Sequence, residues 1–277
     1  NKGGFEFEDV TSKSGLDNTG WGQAVTHTDI NRDHYQDVIV GNDFGTNAYY
    51  LNNGDGTFKD ISRMLGTDKP SYTMGIGVAD LNADQAPDFY ISNIVTMNKD
   101  QKYVLPSAKT TMAFDPETLS NMRVVEANDL FLSQVTAGDL QYVPSKAVDR
   151  GYSSTGWSWG AEFFDSDNDG DDDLYVLNGM NEFNVYSNQN PYYRDPLENK
   201  RLDIIIPVDT QETNVFFLNE GGKLNNLSKE SGLDLRGNSR SAAYLDYDGD
   251  GDLDIVMNNY HETASFYRNE SAASNNG

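Results

Sequence analysis

Four nonapeptides in this chain gather oxygen ligands at a spacing suited to a hard cation. They run Asp29-Ile30-Asn31-Arg32-Asp33-His34-Tyr35-Gln36-Asp37, Asp80-Leu81-Asn82-Ala83-Asp84-Gln85-Ala86-Pro87-Asp88, Asp165-Ser166-Asp167-Asn168-Asp169-Gly170-Asp171-Asp172-Asp173 and Asp246-Tyr247-Asp248-Gly249-Asp250-Gly251-Asp252-Leu253-Asp254. Each has Asp at position 1, Asp or Asn at 3, and Asp at 5 and 9. A tight turn directs those four side chains inward, and the backbone carbonyl at position 7 (Tyr35, Ala86, Asp171, Asp252) adds another oxygen. Ca²⁺ takes six to eight such ligands at flexible geometry. The expectation is therefore up to four Ca²⁺ ions, one per loop.

The loops are unequal. Gly170 and Gly251 occupy position 6, where a sharp turn with positive φ favours glycine, while His34 and Gln85 stand there in the first two loops. Those two loops also carry Asn at position 3, so they offer three carboxylates instead of four and are expected to bind more weakly. An EF-hand would need Glu at position 12 and flanking helices. Position 12 is Val40, Ile91, Val176 or Met257, each inside a β-prone run. Zinc would call for His or Cys, and the three His are scattered. Mg²⁺ keeps several waters and would use few of these ligands. The plainer alternative is a set of solvated acidic turns with Asx-type bonding, against which stands the repulsion among clustered carboxylates.

The flanks repeat with the loops. After each ninth-position Asp comes a short β-prone run that places Asn42, Asn93, Asn178 or Asn259 five residues on. Five residues before each loop stands a small residue, Ala24, Gly75, Gly160 or Ser241. A third extended run follows (NAYYLNN, NDLFLSQ, NVFFLNE, ASFYRNE), and a fourth at 58–62, 140–144 and 224–228. Four short strands joined by tight turns make an antiparallel up-and-down sheet that must stack on its neighbours. Small residues on the first strand suit the crowded inner strand of a propeller blade. A β-solenoid repeats its metal loops about every nine residues, and here they lie far further apart. The fold class expected is all-β: a β-propeller of four-stranded antiparallel blades, with calcium loops between the first and second strands and four blades visible.

Residues 1–277 read as a single propeller domain or a fragment of one, interrupted by insertions at about 96–127 and 180–212. In the first, Asp115-Pro116-Glu117 would open a helix to about Glu126, with Asp as N-cap and Pro at the first helical position. The second is rich in Asn, Tyr and Pro and reads as an irregular loop, with an added edge strand at Leu202 to Val208. Phe7-Glu8-Asp9-Val10-Thr11 aligns with Phe58 to Ser62, so the chain opens on a fourth strand and closes on a third, Tyr267-Arg268-Asn269. Either the N-terminal strand completes the last blade and closes a ring, or the chain is a piece of a longer propeller.

Composition narrows the partners. The chain holds 44 acidic and 20 basic residues, a net charge of −24, which disfavours nucleic acid. Its 16 Tyr, 13 Phe and 3 Trp argue against a disordered acidic chain. There is no Cys, so neither disulfides nor thiolate metal sites contribute. No apolar run approaches a membrane span.

The string DxDxDGxxD between two strands resembles the FG-GAP or VCBS repeat, which builds the calcium-binding propeller of integrin α-subunits. More narrowly, Gly156-Trp157-Ser158-Trp159-Gly160 leading into FFDSDNDGDDDLYVLNG, and Asn238-Ser239-Arg240 leading into AAYLDYDGDGDLDIV, are similar to the ASPIC/UnbV and cartilage acidic protein group. The resemblance implies a secreted or cell-surface protein with a seven-bladed propeller followed by a small ASPIC domain. That domain does not follow here, which favours the fragment reading. The first two repeats lack the Gly of the motif.

No catalytic constellation stands out, and the expectation is a non-enzymatic, extracellular, calcium-stabilised scaffold for adhesion or binding. His27 and His34 sit at the first loop and His261 beyond the fourth, with no cluster among them. A protein or glycan partner would be met by blade loops and the insertions, where Tyr186, Tyr192 and Tyr193 suit stacking or an interface. The alternatives are a polysaccharide lyase, for which Arg123, Arg194, Arg201 and Arg240 are the basic candidates, and a structural element of a larger surface assembly.

Overall fold

A computed structural model of the protein describes residues 5–43, 45–68, 70–94, 128–136, 139–144, 152–153, 155–179 and 212–271. They form an all-β, antiparallel structure. The first sheet orders β1 (Gly22–Thr28), β2 (Asp37–Asn42), β4 (Ala48–Asn52) and β5 (Phe58–Asp60), with β3 (Gly45–Thr46) lying outside it. After β6 (Pro70–Ser71), the second sheet orders β7 (Thr73–Ala79), β8 (Asp88–Asn93), β9 (Asp129–Thr136) and β10 (Asp139–Pro144). The third comprises β11 (Ser158–Phe164), β12 (Asp173–Asn178), β14 (Val215–Asn219) and β15 (Leu224–Asn226), preceded at β14 by β13 (Glu212–Thr213). The fourth follows β16 (Arg236–Gly237) and contains three strands among the described residues: β17 (Ser239–Leu245), β18 (Asp254–Asn259) and β19 (Ser265–Tyr267). Two short ribbons, β3 with β6 and β13 with β16, tie the first sheet to the second and the third to the fourth.

The sheets stack in sequence order through their first strands: β1 against β7, β7 against β11, β11 against β17. Between the first and second sheets, Ile39 and Tyr49 pack on Phe89, Ile91, Phe131 and Tyr142. Tyr90 and Leu130 meet Leu174, Val176 and Phe217 across the next interface. Phe164, Tyr175, Leu177 and Phe216 meet Ile255 and Met257 across the last. Each fully buried side chain of this size stabilises by about 1.5–3 kcal/mol, so the interfaces, and not the single sheets, hold the structure. Strand burial records the position in the stack. β8 and β12 are buried at every residue because both faces are covered, whereas β18 alternates beyond its first two residues.

The small residues on the first strands have a steric cause. A Cβ at Gly75 would stand 3.0 Å from the Trp159 carbonyl and 3.3 Å from the Gly160 Cα, and one at Gly160 would stand 3.1 Å from the Arg240 carbonyl. In every sheet the register slips at this level, between Gly22 and Ala24, Thr73 and Gly75, Ser158 and Gly160, and Ser239 and Ser241. These β-bulges bend the first strand where neighbouring backbones converge.

The expected fourth strands are found as Phe58–Asp60, Asp139–Pro144 and Leu224–Asn226. Two of them end earlier than expected because Ser62 and Ser228 begin one-turn helices, Ser62–Leu65 and Ser228–Ser231. Phe7 to Val10 is not paired as a strand, and Thr11–Ser14 forms a third such turn. Nearly all of both insertions, with the expected helix at 115–126 and edge strand at 202–208, lies outside the described residues. The one exception is Glu212, the first residue of β13; Tyr186, Tyr192 and Tyr193 are outside the described residues as well.

Candidate metal centres

Each acidic loop joins the first and second strands at one end of its sheet, and one backbone design recurs in all four. Positions 4 and 6 take positive φ in every loop: Arg32 and His34, Ala83 and Gln85, Asn168 and Gly170, Gly249 and Gly251. The requirement at position 6 is legible in the sequence from the paired glycines. The one at position 4 is signalled only by Asn168 and Gly249, and sequence reasoning missed it. The first two loops hold the same backbone with ordinary side chains, at a cost in strain.

Position 1 organises the turn. Asp29 accepts from the Asp33 and His34 N–H groups at 3.0 and 2.7 Å, Asp80 from Asp84 and Gln85 at 3.0 and 2.8 Å, and Asp165 from Asp169 and Gly170 at 3.1 and 3.0 Å. Asp246 accepts from Gly249 and Gly251 at 2.7 and 3.2 Å. Position 5 then takes the N–H of position 7: Asp33 from Tyr35, Asp84 from Ala86, Asp169 from Asp171, and Asp250 from Asp252.

Position 9 has a different role. Asp37, Asp88, Asp173 and Asp254 are buried. One oxygen of each accepts the N–H of position 2 (Ile30, Leu81, Ser166, Tyr247) at 2.8–3.0 Å. The other reaches the third strand, accepting from the N–H of Asn52, Ser133, Asn219 or Asn269 at 2.6–2.8 Å. This acid brackets loop, second strand and third strand together. Burial, opposed by these hydrogen bonds, pushes the Asp88 and Asp173 carboxyls up to about 6 and raises Asp37.

The four loops differ in how the remaining acids meet. Asp165, Asp167 and Asp169 bring carboxylate oxygens within 4.8 Å of one another, as do Asp246, Asp248 and Asp254. Burial and then the charges of Asp169 and Asp165 raise the Asp167 carboxyl, which is the electrostatic condition a divalent cation relieves. In the earlier loops protein groups answer the acids. Asn31 Nδ2 donates to Asp33 at 2.9 Å, and the Ser133 hydroxyl lies 3.0 Å from both oxygens of Asp84. No triad forms there among the described residues. The oxygen-only donor set of the last two loops fits a hard cation. Asp165, Asp167, Asp169, Asp246, Asp248 and Asp254 would hold it; Asp254 meets its triad while also bracketing Tyr247 and Asn269, whereas Asp173 brackets Ser166 and Asn219 outside its triad. The side chain of Asp171 instead accepts from Gly221 N–H at 3.1 Å, and that of Asp252 from the Ser271 hydroxyl at 3.3 Å.

The opposite end of each of the first three sheets is locked by a pair of asparagines. The N–H groups of Asn42, Asn93 and Asn178 donate to the side-chain carbonyls of Asn47, Asn128 and Asn214 at 2.7–2.8 Å. The latter three carry the link to the next sheet, bonding Thr73, Ser158 and Ser239 at 2.9 Å. The second Asn of each pair was not singled out from the sequence, although it opens each third-strand run in the first three repeats.

The basic and histidine candidates do not converge. Arg240 lies over Trp159 at 4.2 Å and Tyr260 at 5.0 Å, and burial lowers its guanidinium to about 10. It is a packing element between the third and fourth sheets. Arg123, Arg194 and Arg201 are outside the described residues. His27 bonds Gln36 at 2.8 Å, His34 lies 4.0 Å from Asp29, and His261 stacks on Tyr260.

A family profile described as an FG-GAP-like repeat matches residues 29–91 and 198–257. Cartilage acidic protein 1 of Homo sapiens is 30% identical over 93 residues, covering 33% of this chain and 14% of that protein. Its Mus musculus counterpart is 29% identical over 93 residues with the same coverage. The matched stretch is thus a small part of the curated relatives' length. With its repeated loops, bracketing acids and stacked sheets, the chain carries FG-GAP-like repeats and is similar, over a third of its length, to cartilage acidic protein 1.

Proposed function

We propose that this chain is part of a calcium-stabilised β-propeller that serves as an extracellular or cell-surface binding scaffold. The observation that supports this most directly is the pair of carboxylate triads, Asp165/Asp167/Asp169 and Asp246/Asp248/Asp254, each gathered within 4.8 Å at the same end of neighbouring sheets. Bound Ca²⁺ would supply positive charge and further coordination to these acids, fixing each loop without chemistry of its own. Asn168 Nδ2 donates to the Gly251 carbonyl at 3.1 Å, so the third and fourth loops support one another across the interface. The first two loops, with Asn at position 3, would bind more weakly.

The scaffold would meet a protein or glycan through blade loops and the insertions. The relatives' name speaks of cartilage and acidity, and a net charge of −24 accords with an acidic protein that works where calcium is abundant. Among the described residues no helix is long and apolar enough to cross a membrane. Packing of Arg240 between two aromatic rings removes it from the basic candidates for lyase chemistry.

Thermal unfolding followed by tryptophan fluorescence, with EGTA and with Ca²⁺, tests the metal half of the proposal. The midpoint should rise with Ca²⁺ and not with equal Mg²⁺. An unchanged midpoint would overturn it. A glycan array together with pull-down from the native surface tests the binding half.

A further inference from the structure

Side chains that belong to neither carboxylate triad join the third acidic loop to the fourth. Asn168 stands between Asp167 and Asp169, two members of the first triad, and its Nδ2 donates to the Gly251 carbonyl at 3.1 Å. Gly251 in turn holds the second triad, because its own N–H donates to Asp246 at 3.2 Å. The peptide bond that carries the Gly251 carbonyl also carries the Asp252 N–H, which donates to Asp250 at 3.2 Å. One peptide unit thus accepts a bond from the third loop on its oxygen and gives a bond within the fourth loop from its nitrogen. Bonds in such a chain polarise and strengthen one another.

A second link runs back from the fourth sheet. Asn269, just past β19, donates its N–H to Asp254, a member of the second triad, at 2.8 Å. Its Nδ2 reaches the Ser166 carbonyl at 2.6 Å and the Leu253 carbonyl at 3.3 Å. The Ser271 hydroxyl lies 3.0 Å from the same Ser166 oxygen and 3.3 Å from the Asp252 carboxylate. That Ser166 carbonyl belongs to the peptide bond leading into Asp167, so its position bears on a carboxylate of the first triad. Each loop is held in part by the other.

The link is particular to this pair. Where the second loop meets the third sheet, position 4 is Ala83, which has no side-chain donor. Gly221 stands where Ser271 does and has no hydroxyl, and Asn219, the counterpart of Asn269, gives its Nδ2 to Asp172 of its own sheet at 3.2 Å. Position 4 of the first loop is Arg32, whose side chain makes no hydrogen bond among the described residues.

We propose, on the calcium reading of the triads, that the third and fourth loops are one cooperative unit, in which a divalent cation entering either loop raises the affinity of the other. The cause is order. An ion held by Asp165, Asp167 and Asp169 fixes the turn at Asn168, which has φ 60°. Asn168 then fixes the Gly251–Asp252 peptide, and the second triad has less freedom left to lose when its own ion binds. By linkage the gain is the same in either direction. Repulsion between the two ions opposes it, but Asp169, Asp246 and Asp248 are exposed, where ionic strength screens that repulsion. The coupling expected is about tenfold in the second affinity. Asn168 and Asn269 act here as positioning residues and not as ligands.

Calcium titration of the 277-residue chain by isothermal calorimetry should show two ions entering ahead of those of the first two loops, with a Hill coefficient of about 1.5 for tenfold coupling. Asn168→Gly keeps the positive φ, as Gly249 does at the same place in the fourth loop, and removes only the amide. It should leave the pair of ions in place and bring the coefficient towards about 1. Ser271→Gly, matching Gly221 of the third sheet, should lower it in the same direction. A second measurement reads the transmission with the fourth loop disabled. In Asp248→Asn, Ca²⁺ in the third loop alone should slow amide hydrogen exchange at Gly251 and Asp252, and adding Asn168→Gly should abolish the slowing. Two ions entering independently, or fourth-loop exchange that ignores Ca²⁺ in the third, would overturn the proposal and leave the calcium reading standing. No bound ion at all would overturn both.

Discussion

Replacing Asp173 and Asp167 separately should split loop architecture from metal binding within a single turn. Asp173 gives one oxygen to Ser166 N–H at 3.0 Å and the other to Asn219 N–H at 2.7 Å. Asp173→Ala leaves both donors without their acceptor in a buried position, at a cost of about 1–3 kcal/mol each. Removing a carboxyl that burial has pushed up to about 6 returns part of this at pH 7. Allowing for solvent screening, that return is about 1–2 kcal/mol. The net loss is about 2 kcal/mol, or roughly 4–8 °C in the calcium-free midpoint for a chain of this size. Asp167→Asn acts oppositely. It relieves the crowding that raises the Asp167 carboxyl, so the calcium-free midpoint should hold or rise slightly. The loss of one carboxylate ligand should lower affinity by about tenfold, which removes about 1.4 kcal/mol of ligand-linked stabilisation. The midpoint gained on adding Ca²⁺ should then fall by about 3–5 °C. Differential scanning calorimetry in EGTA and in excess Ca²⁺ reads both quantities. If Asp173→Ala kept the calcium-free midpoint and abolished the calcium gain, the bracket assignment would be refuted.

Two further outcomes follow from groups away from the triads. Asp43 is partly buried, and burial lifts its carboxyl to about 6, above the usual 3.8. A raised carboxyl favours the folded state below about pH 4, and that contribution is lost as pH rises through 6. Asp43→Asn should therefore leave stability nearly unchanged at pH 4 and raise it by about 1 kcal/mol at pH 7.5, after discounting for its partial exposure; urea denaturation at the two pH values measures the difference, and equal gains at both would contradict the assignment. His34 holds φ 72° at position 6 of the first loop, so His34→Gly should stabilise the calcium-free chain by about 0.5–1 kcal/mol. The same change at His27, which lies in a strand, should destabilise it.

Most of the architecture was legible because it is repeated. One acidic nonapeptide in so acidic a chain would carry little, but four with the same small residue before and Asn after define a unit. The steric reason for Gly75 and Gly160 then appears as backbone-to-backbone approach at 3.0–3.3 Å. What the nonapeptide conceals is its division of labour. Composition cannot distinguish an acid that faces a cation from one that faces N–H groups, because both are Asp at fixed spacing. The bracket role of the ninth position appears only when the third strand returns past the loop, bringing Asn52, Ser133, Asn219 and Asn269 to it, and in the last loop Asp254 also joins the triad. Those partners lie 15 to 46 residues away in sequence, beyond the reach of any local pattern. The turn after the fourth strand was hidden for the opposite reason. Ser62 and Ser228 look like strand residues until the side chain two before each, Asp60 or Asn226, captures its N–H and folds the chain into a helical turn. Asp9 captures Thr11 in the same way, where residues 7–10 are in no strand pair among the described residues. The turn is thus a local device, set by one side chain and the N–H two residues on.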